Sequence, residues 1–140
     1  MTIDVSIGEA SRRTGIKVPT IRYYEEIGLL PAPVRSDGNR RLYGPAALGR
    51  LSFIRHAREL GFAIGAIRRL LELADDPRRS CETADEIAVA HLEEIDGKIA
   101  RLTALRDEIA RMTDCGNAHV AECRVIEVLA DHGACVHARH

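Results

Sequence analysis

Apolar and polar positions change period several times along the chain, and each change marks an element. Over residues 5–30, VSIGEASRRTGIKVPTIRYYEEIGLL, apolar residues follow helical spacing in two short bursts. Ser6 to Glu9 matches a capping box, so a helix is expected to start there. Ile7, Ala10 and Ser11 share one face, and Thr14-Gly15 ends the burst, with Gly15 suited to a left-handed cap. A second helix is expected from Val18-Pro19, where proline fits the first turn. It carries Ile21, Tyr24, Glu25 and Ile27 and stops before Gly28. In PAPVRSDGNRRLYG, residues 31–44, helical spacing is lost and Asp37-Gly38 predicts a hairpin with a two-residue turn. Helical spacing returns in PAALGRLSFIRHAREL, with Leu48, Leu51, Ile54 and Ala57 on one face. It continues in AIGAIRRLLELA, with Ile64, Ile67, Leu70, Leu71 and Leu73. Gly61 separates these two helices, and Phe53 and Phe62 read as packing residues.

Residues 83–112 then form one long periodic segment, about 45 Å as a helix at 1.5 Å per residue. Thr83 to Glu86 offers a second capping box. Apolar residues fall at 88, 92, 95, 99, 102, 105, 109 and 112, a heptad seam that drifts at its end. So small a body cannot cover a seam of that length, so a homodimer through it is expected. After Asp114 comes CGNAHVAEC, in which Gly116-Asn117 predicts a loop. A short helix, RVIEVLAD, follows and is expected to end at Gly133. The fold class is mainly α.

Composition narrows the class. With 46% hydrophobic and 29% charged residues over 140 positions, the chain is globular. No apolar run approaches the roughly 18 residues that span a bilayer, so no membrane partner is expected. MTIDVSIGEA has neither a basic nor a long apolar leader region, which makes the cytoplasm, where thiols stay reduced, the expected compartment. The net charge of −1 hides an asymmetry. Residues 1–60 hold 10 Lys/Arg against 6 Asp/Glu, and residues 61–140 hold 10 against 15. A basic first half suits nucleic acid. The two short helices around a glycine turn form a helix-turn-helix pattern, whose second helix should expose Lys17, Thr20, Arg22 and Tyr23. The hairpin behind it, flanked by Arg35, Arg40, Arg41 and Tyr43, reads as a wing able to reach phosphates or the minor groove.

Cys115, His119 and Cys123 in CGNAHVAEC allow a disulfide loop, a structural metal knuckle, a nucleophile with its base, or a sensor. A reducing compartment weighs against the disulfide. Catalysis lacks a third orienting group, a phosphate loop and any cofactor motif, so no enzyme is expected.

The stretches IGEASRRTGI, TIRYYEEIGLLPAPVRSDGNRRLYG and LSFIRHARELGFAIGAIRRLL resemble the MerR family of transcriptional regulators. The likeness covers nearly the whole chain, and its most specific part is TIRYYE followed by GLL and NRRLY. The resemblance implies a winged helix-turn-helix DNA-binding domain over 1–75. A linker and dimerisation helix would occupy 76–112, and an effector loop and tail 113–140. It implies DNA contacts from Thr20, Arg22 and Tyr23 and, in the wing, from Arg41 and Tyr43. Lys17 and Arg35 join them by charge and position. It further implies a homodimer on a dyad-symmetric promoter, which bends and untwists double-stranded DNA so that RNA polymerase can engage it.

The resemblance also narrows the effector. Only a short stretch follows the long helix, too little to enclose an organic ligand, and an iron–sulfur cluster would need a tighter group of four cysteines. Cys115 and Cys123 bracket the loop as in the family's metal sensors. Cys81 stands where its divalent-ion sensors carry Cys and its Cu(I)/Ag(I) sensors carry Ser. A third thiolate balances a 2+ charge and allows three or four ligands. In an antiparallel dimer Cys81 would come from the partner protomer. With His119 as a fourth ligand, Zn(II) or Cd(II) is the expected effector. Seven residues between Cys115 and Cys123 match the copper sensors' loop, so Cu(I)/Ag(I) stays an alternative. Hg(II) or Pb(II) could use the three thiolates alone. Cys135, His137 and His140 in the tail could serve a second ion or cap the first.

Overall fold

The computed structural model describes residues 4–113, 119–120 and 123–131. Helix α1 spans Ile7–Thr14. Ser6 lies extended before it, and its Oγ accepts the Glu9 backbone N–H at 3.2 Å. Only this half of the expected capping box forms. The Glu9 carboxylate turns instead to Arg12 and Arg13, whose hydrogen bonds, in that order, lower its pKa to about 2. Gly15, at φ 74, closes the helix by donating its N–H to Ser11 O at 2.8 Å. A Cβ at Gly15 would collide with the Arg55 guanidinium, which donates to the Thr14 carbonyl at 2.6 Å. Thr14 Oγ1 completes the turn, donating to Ala10 O at 2.8 Å and accepting Ile16 N–H at 3.3 Å.

Helix α2, Val18–Glu26, starts behind Lys17 with Pro19 in its first turn. It ends in a Schellman motif: Gly28, at φ 76, donates to Glu25 O at 3.1 Å, and Leu29 donates to Tyr24 O at 2.9 Å. The wing is an antiparallel pair, β1 (Val34–Arg35) and β2 (Arg41–Leu42), in the register Val34↔Leu42 and Arg35↔Arg41. Its turn differs from the expected two-residue type. Ser36 donates to Arg40 O at 2.9 Å, Asn39 donates to Ser36 O at 2.8 Å, and Asn39 takes a left-handed φ of 61. A three-residue loop with its third residue left-handed is the next commonest hairpin, and asparagine tolerates that conformation well.

Helices α3 (Pro45–Glu59) and α4 (Ile64–Ala74) complete the head. Ile21, Leu29, Leu30, Tyr43, Leu51, Ile54 and Ile67 are its largest fully buried side chains, so one core joins α2, the wing, α3 and α4. Phe62 packs against that core, whereas Phe53 remains 37% exposed. Val5 pairs backbone to backbone with Tyr43, at 2.9 and 2.8 Å, and ties the start of the chain to the end of the wing.

Helix α5 spans Glu82–Thr113. Its 32 residues make about 48 Å at 1.5 Å per residue. The expected cap at Thr83 is moved upstream: Ser80 Oγ accepts the Glu82 N–H at 3.1 Å and Cys81 O accepts the Asp85 N–H at 2.9 Å. Both Ser80 and Thr83 can cap, and the helix takes the earlier one. The chain divides into two compact units, Met1–Ile87 and Ala88–His140. In the second, Leu92, Ile95, Ile99, Leu102 and Ile109 of the seam are 37–62% exposed, whereas Met112 is buried. Helix α6, Arg124–Ala130, is capped at its end by Asp131, and Gly133 lies outside the described residues.

Gly97 sits in mid-α5, where an added Cβ meets nothing within 4 Å. Gly97→Ala is therefore expected to stabilise the folded protein by about 0.5–1 kcal/mol, because alanine loses less backbone freedom in a helix. Thermal unfolding followed by circular dichroism at fixed protein concentration checks this, and an unchanged or lower Tm opposes it.

Candidate nucleic-acid interface and metal-ligand positions

Helix α2 buries Ile21 and Tyr24 and turns its other side outward. Lys17 and Arg22 are exposed, Thr20 is half-buried, and Tyr23 is 49% exposed. The Tyr23 ring lies 6.1 Å from that of the buried Tyr24, tilted by 48°, so an anchored ring braces the outward one. A donor, a hydroxyl and an aromatic edge thus share one helical surface, the chemistry that meets phosphates and base edges.

Charge alone did not separate the arginines of the head into their roles. Three of them hold helix ends together. Arg55 takes the α1 terminus and also pairs with Glu59. Arg68 Nη2 donates to Ile27 O at 2.6 Å, and Arg50 Nε donates to Leu29 O at 3.1 Å while its Nη1 reaches Asp75. Arg12 and Arg13 are engaged by Glu9, and Arg58 donates to Phe62 O. Arg35 Nη1 closes the wing loop on Asn39 O at 3.2 Å. Among the described residues, the side chains of Lys17, Arg22 and Arg40 have no hydrogen-bond or ion-pair partner. The sequence places Arg40 in the wing without distinguishing it from Arg41 as a contact. The signal for Arg40 was its place at the loop edge, opposite the strand pair that turns Arg41 inward.

Arg41 and Tyr43, expected as direct wing contacts, both turn to Glu25 of α2. Arg41 Nε donates to Glu25 Oε2 at 3.1 Å, and the Tyr43 hydroxyl donates to Glu25 Oε1. Tyr43 is 1% exposed, so its ring offers DNA no surface in this conformation. Burial first, then the hydrogen bond to Glu25, pushes its hydroxyl well above the ordinary phenol range and keeps it a donor. Period 2 explains the outcome: residues 41 and 43 share one face, so a wing whose residue 43 enters the core turns residue 41 the same way, toward Glu25.

Cys81 is a free, exposed thiol at the start of α5, with Sγ 3.6 Å from Asp85 Oδ1. Cys123 is a free, partly exposed thiol at the N-cap of α6, and His119 is exposed. Cys115, Cys135, His137 and His140 lie outside the described residues. Among the described residues no three His, Cys, Asp or Glu side chains gather as a metal site. The donor chemistry nevertheless suits a soft or borderline ion: free thiols and an imidazole, with a carboxylate beside Cys81. Among the described residues no helix is long and apolar enough to cross a membrane.

Comparison with known proteins agrees with this architecture. A model described as MerR HTH family regulatory protein matches residues 5–74, and one described as MerR, DNA binding matches residues 48–112. The chain is 39% identical over 127 residues to the HTH-type transcriptional regulator ZntR of Escherichia coli K12, covering 88% of this chain and 90% of that one. It is 34% identical over 131 residues to heavy metal-dependent transcription regulator 2 of Rhizobium meliloti, covering 93% and 89% respectively. Among solved structures it resembles the transcription regulator PbrR691 from Ralstonia metallidurans CH34 in complex with lead(II). The TM-score is 0.77 at 36% identity, covering 89% of this chain and 98% of that one.

Proposed function

The chain belongs to the MerR family of helix-turn-helix regulators, and from that premise we propose that it is a metal-responsive activator acting by deformation of promoter DNA. MerR proteins are DNA-binding regulators rather than enzymes. Two heads on one dimer would read a dyad-symmetric site, each placing α2 in a major groove with its wing on the flanking backbone. Lys17, Arg22 and Arg40 would meet phosphates, and Thr20 and Tyr23 would stand against bases and sugars. Arg41 would present its outer nitrogens while Glu25 holds its Nε, and Arg35 would shape the wing tip. Distorting the duplex costs a few kcal/mol, which the metal-bound dimer offsets, so that RNA polymerase can engage a promoter it otherwise reads poorly.

Cys115 and Cys123 of one protomer and Cys81 of its partner would hold the ion, with His119 as a fourth donor. The bound ion would supply a cross-link between protomers and so a route from effector to heads. The observation that carries this reading is the free, exposed Cys81 thiol at the start of α5, with the Asp85 carboxylate beside it. It adds a third thiolate and so favours a divalent ion over Cu(I)/Ag(I). The names of the relatives support metal control, and the lead(II) complex of PbrR691 keeps Pb(II), and with it Hg(II), beside Zn(II) and Cd(II). Anaerobic titration of the purified dimer with Zn(II), Cd(II), Pb(II), Hg(II) and Cu(I), read as affinity and promoter activation, tests the proposal. Tightest binding and activation by a divalent ion support it. Activation by Cu(I) alone, or by none, defeats it.

Arg22→Ala removes one uncommitted cation from α2. Its expected effect is a loss of about tenfold in DNA affinity near 0.1 M salt, with the slope of log K against log salt falling by about 1.8, one contact per head. Fluorescence anisotropy across a salt series measures both, and an unchanged slope would remove Arg22 from the interface.

A further inference from the structure

The two DNA-facing elements of the head, α2 and the wing, are joined by one side chain. Glu25 stands in the last turn of α2, and only 9% of its side-chain surface is exposed. One of its carboxylate oxygens takes Arg41 Nε from β2 at 3.1 Å, and the other takes the Tyr43 hydroxyl just beyond β2. Arg41 keeps 29% of its side-chain surface exposed and commits only Nε, so its other two guanidinium nitrogens have no partner among the described residues. The wing itself is slight, two residues in each strand, and its tip carries the uncommitted Arg40. So short a ladder cannot fix its own attitude to α2, because an isolated two-stranded hairpin is marginal in water. Val5 holds the Tyr43 backbone, but that isolated bridge is made at residue 43 and does not include Arg40.

We propose that Glu25 is a positioning residue for DNA binding: it locks the wing to the recognition helix through Arg41 and Tyr43, so that Arg40 and the outer Arg41 nitrogens meet the backbone in register with Lys17 and Arg22. A carboxylate so near a phosphate surface opposes DNA binding by its own charge. Its gain is geometric, since cations held in one frame bind a phosphate array without first being ordered. The inference rests on the DNA-binding reading of the head and adds a division of labour within it. Lys17, Arg22 and Arg40 touch DNA, whereas Glu25 and Tyr43 act through them.

A double-mutant cycle on the full-length dimer tests it. The probe is a duplex of about 30 base pairs selected from a random library by the wild-type protein. Arg40→Ala in the wild-type background is expected to weaken binding about fivefold and to lower the salt slope by about 1.8, one contact per head. In Glu25→Gln, and separately in Tyr43→Phe, the same substitution is expected to cost less than about twofold, because the wing no longer presents Arg40. Tyr43→Phe alters no charge and keeps the buried ring, so it reports positioning even where Glu25→Gln folds poorly. Each of these two variants alone should lower the salt slope by the equivalent of about one to two phosphate contacts per head. A merely structural role would lower Tm while leaving the slope and the Arg40 effect as in the wild type. That result, with Arg40→Ala equally costly in every background, overturns the proposal. Failure of the wild-type protein to select or bind any duplex overturns the DNA-binding reading, and the positioning role with it.

Discussion

Replacing Cys81, Cys115 and Cys123 together by serine is expected to abolish metal-induced transcription while leaving DNA binding intact. Serine keeps the shape of each side chain but offers a hydroxyl that stays protonated at neutral pH and binds soft ions poorly. A structural zinc site of thiolates and imidazole is worth about 10–16 kcal/mol, so losing three thiolates should weaken binding by a thousandfold or more. The cost to folding should be small at the two described positions. Cys81 is exposed and Cys123 partly so, and neither lies in the core of the head. Reporter transcription, DNA affinity and Tm measured on the same variant separate these effects. Induction that survives all three changes would end the metal hypothesis. His119→Ala sorts the ligand set further: a loss of zinc affinity beyond about tenfold supports a zinc-type shell, and none supports thiolates alone.

Placing a charge in the α5 seam should have the second large effect. Ile99 is 55% exposed, Leu92 56% and Leu102 62%, so within one chain these aliphatic faces remain uncovered. A partner helix that covers them removes about 1.5–3 kcal/mol of exposed apolar surface per side chain, counted on both protomers. Ile99→Asp forfeits two such burials and forces two carboxylates into the seam, which should raise the dimer dissociation constant by at least about a hundredfold. The head should keep its fold, since Ile99 lies outside its core. Sedimentation should then show a monomer, and operator affinity should collapse because two linked heads become separate ones. A dimer of unchanged affinity would place the interface elsewhere.

Particular residues show how far the sequence was readable. The α5 seam was visible because a 4, 3 spacing repeats over two heptads, residues 88–102, before it drifts, and Met112 at the end of the drift is buried. The helix-turn-helix was visible because Ser6, Gly15, Pro19 and Gly28 punctuate it, and each occupies its expected cap or turn. Boundaries were harder wherever two residues compete for one job: Ser80 and Thr83 for the α5 cap, Gly38 and Asn39 for the left-handed wing position. The roles of the arginines were not legible, because a guanidinium that meets a carbonyl at a helix end and one that meets a phosphate look alike in sequence. Only long-range packing, with Arg55 and Arg68 each reaching 41 residues back, told them apart. Arg41 and Tyr43 show the same limit, since their partner Glu25 lies on another element.

The central claim, that metal control passes through a site shared by two protomers, is tested most directly by mixed dimers. One protomer carries Cys81→Ser with its loop cysteines intact, and the other carries Cys115→Ser and Cys123→Ser with Cys81 intact. Each parent homodimer lacks a complete thiolate set and should bind no ion tightly. In the heterodimer, Cys81 of one protomer and the loop of the other reconstitute one set. Equilibrium dialysis with Zn(II) should then find one tightly bound ion per mixed dimer, together with recovery of promoter activation. A mixed dimer that binds no more metal than its parents would contradict the shared site.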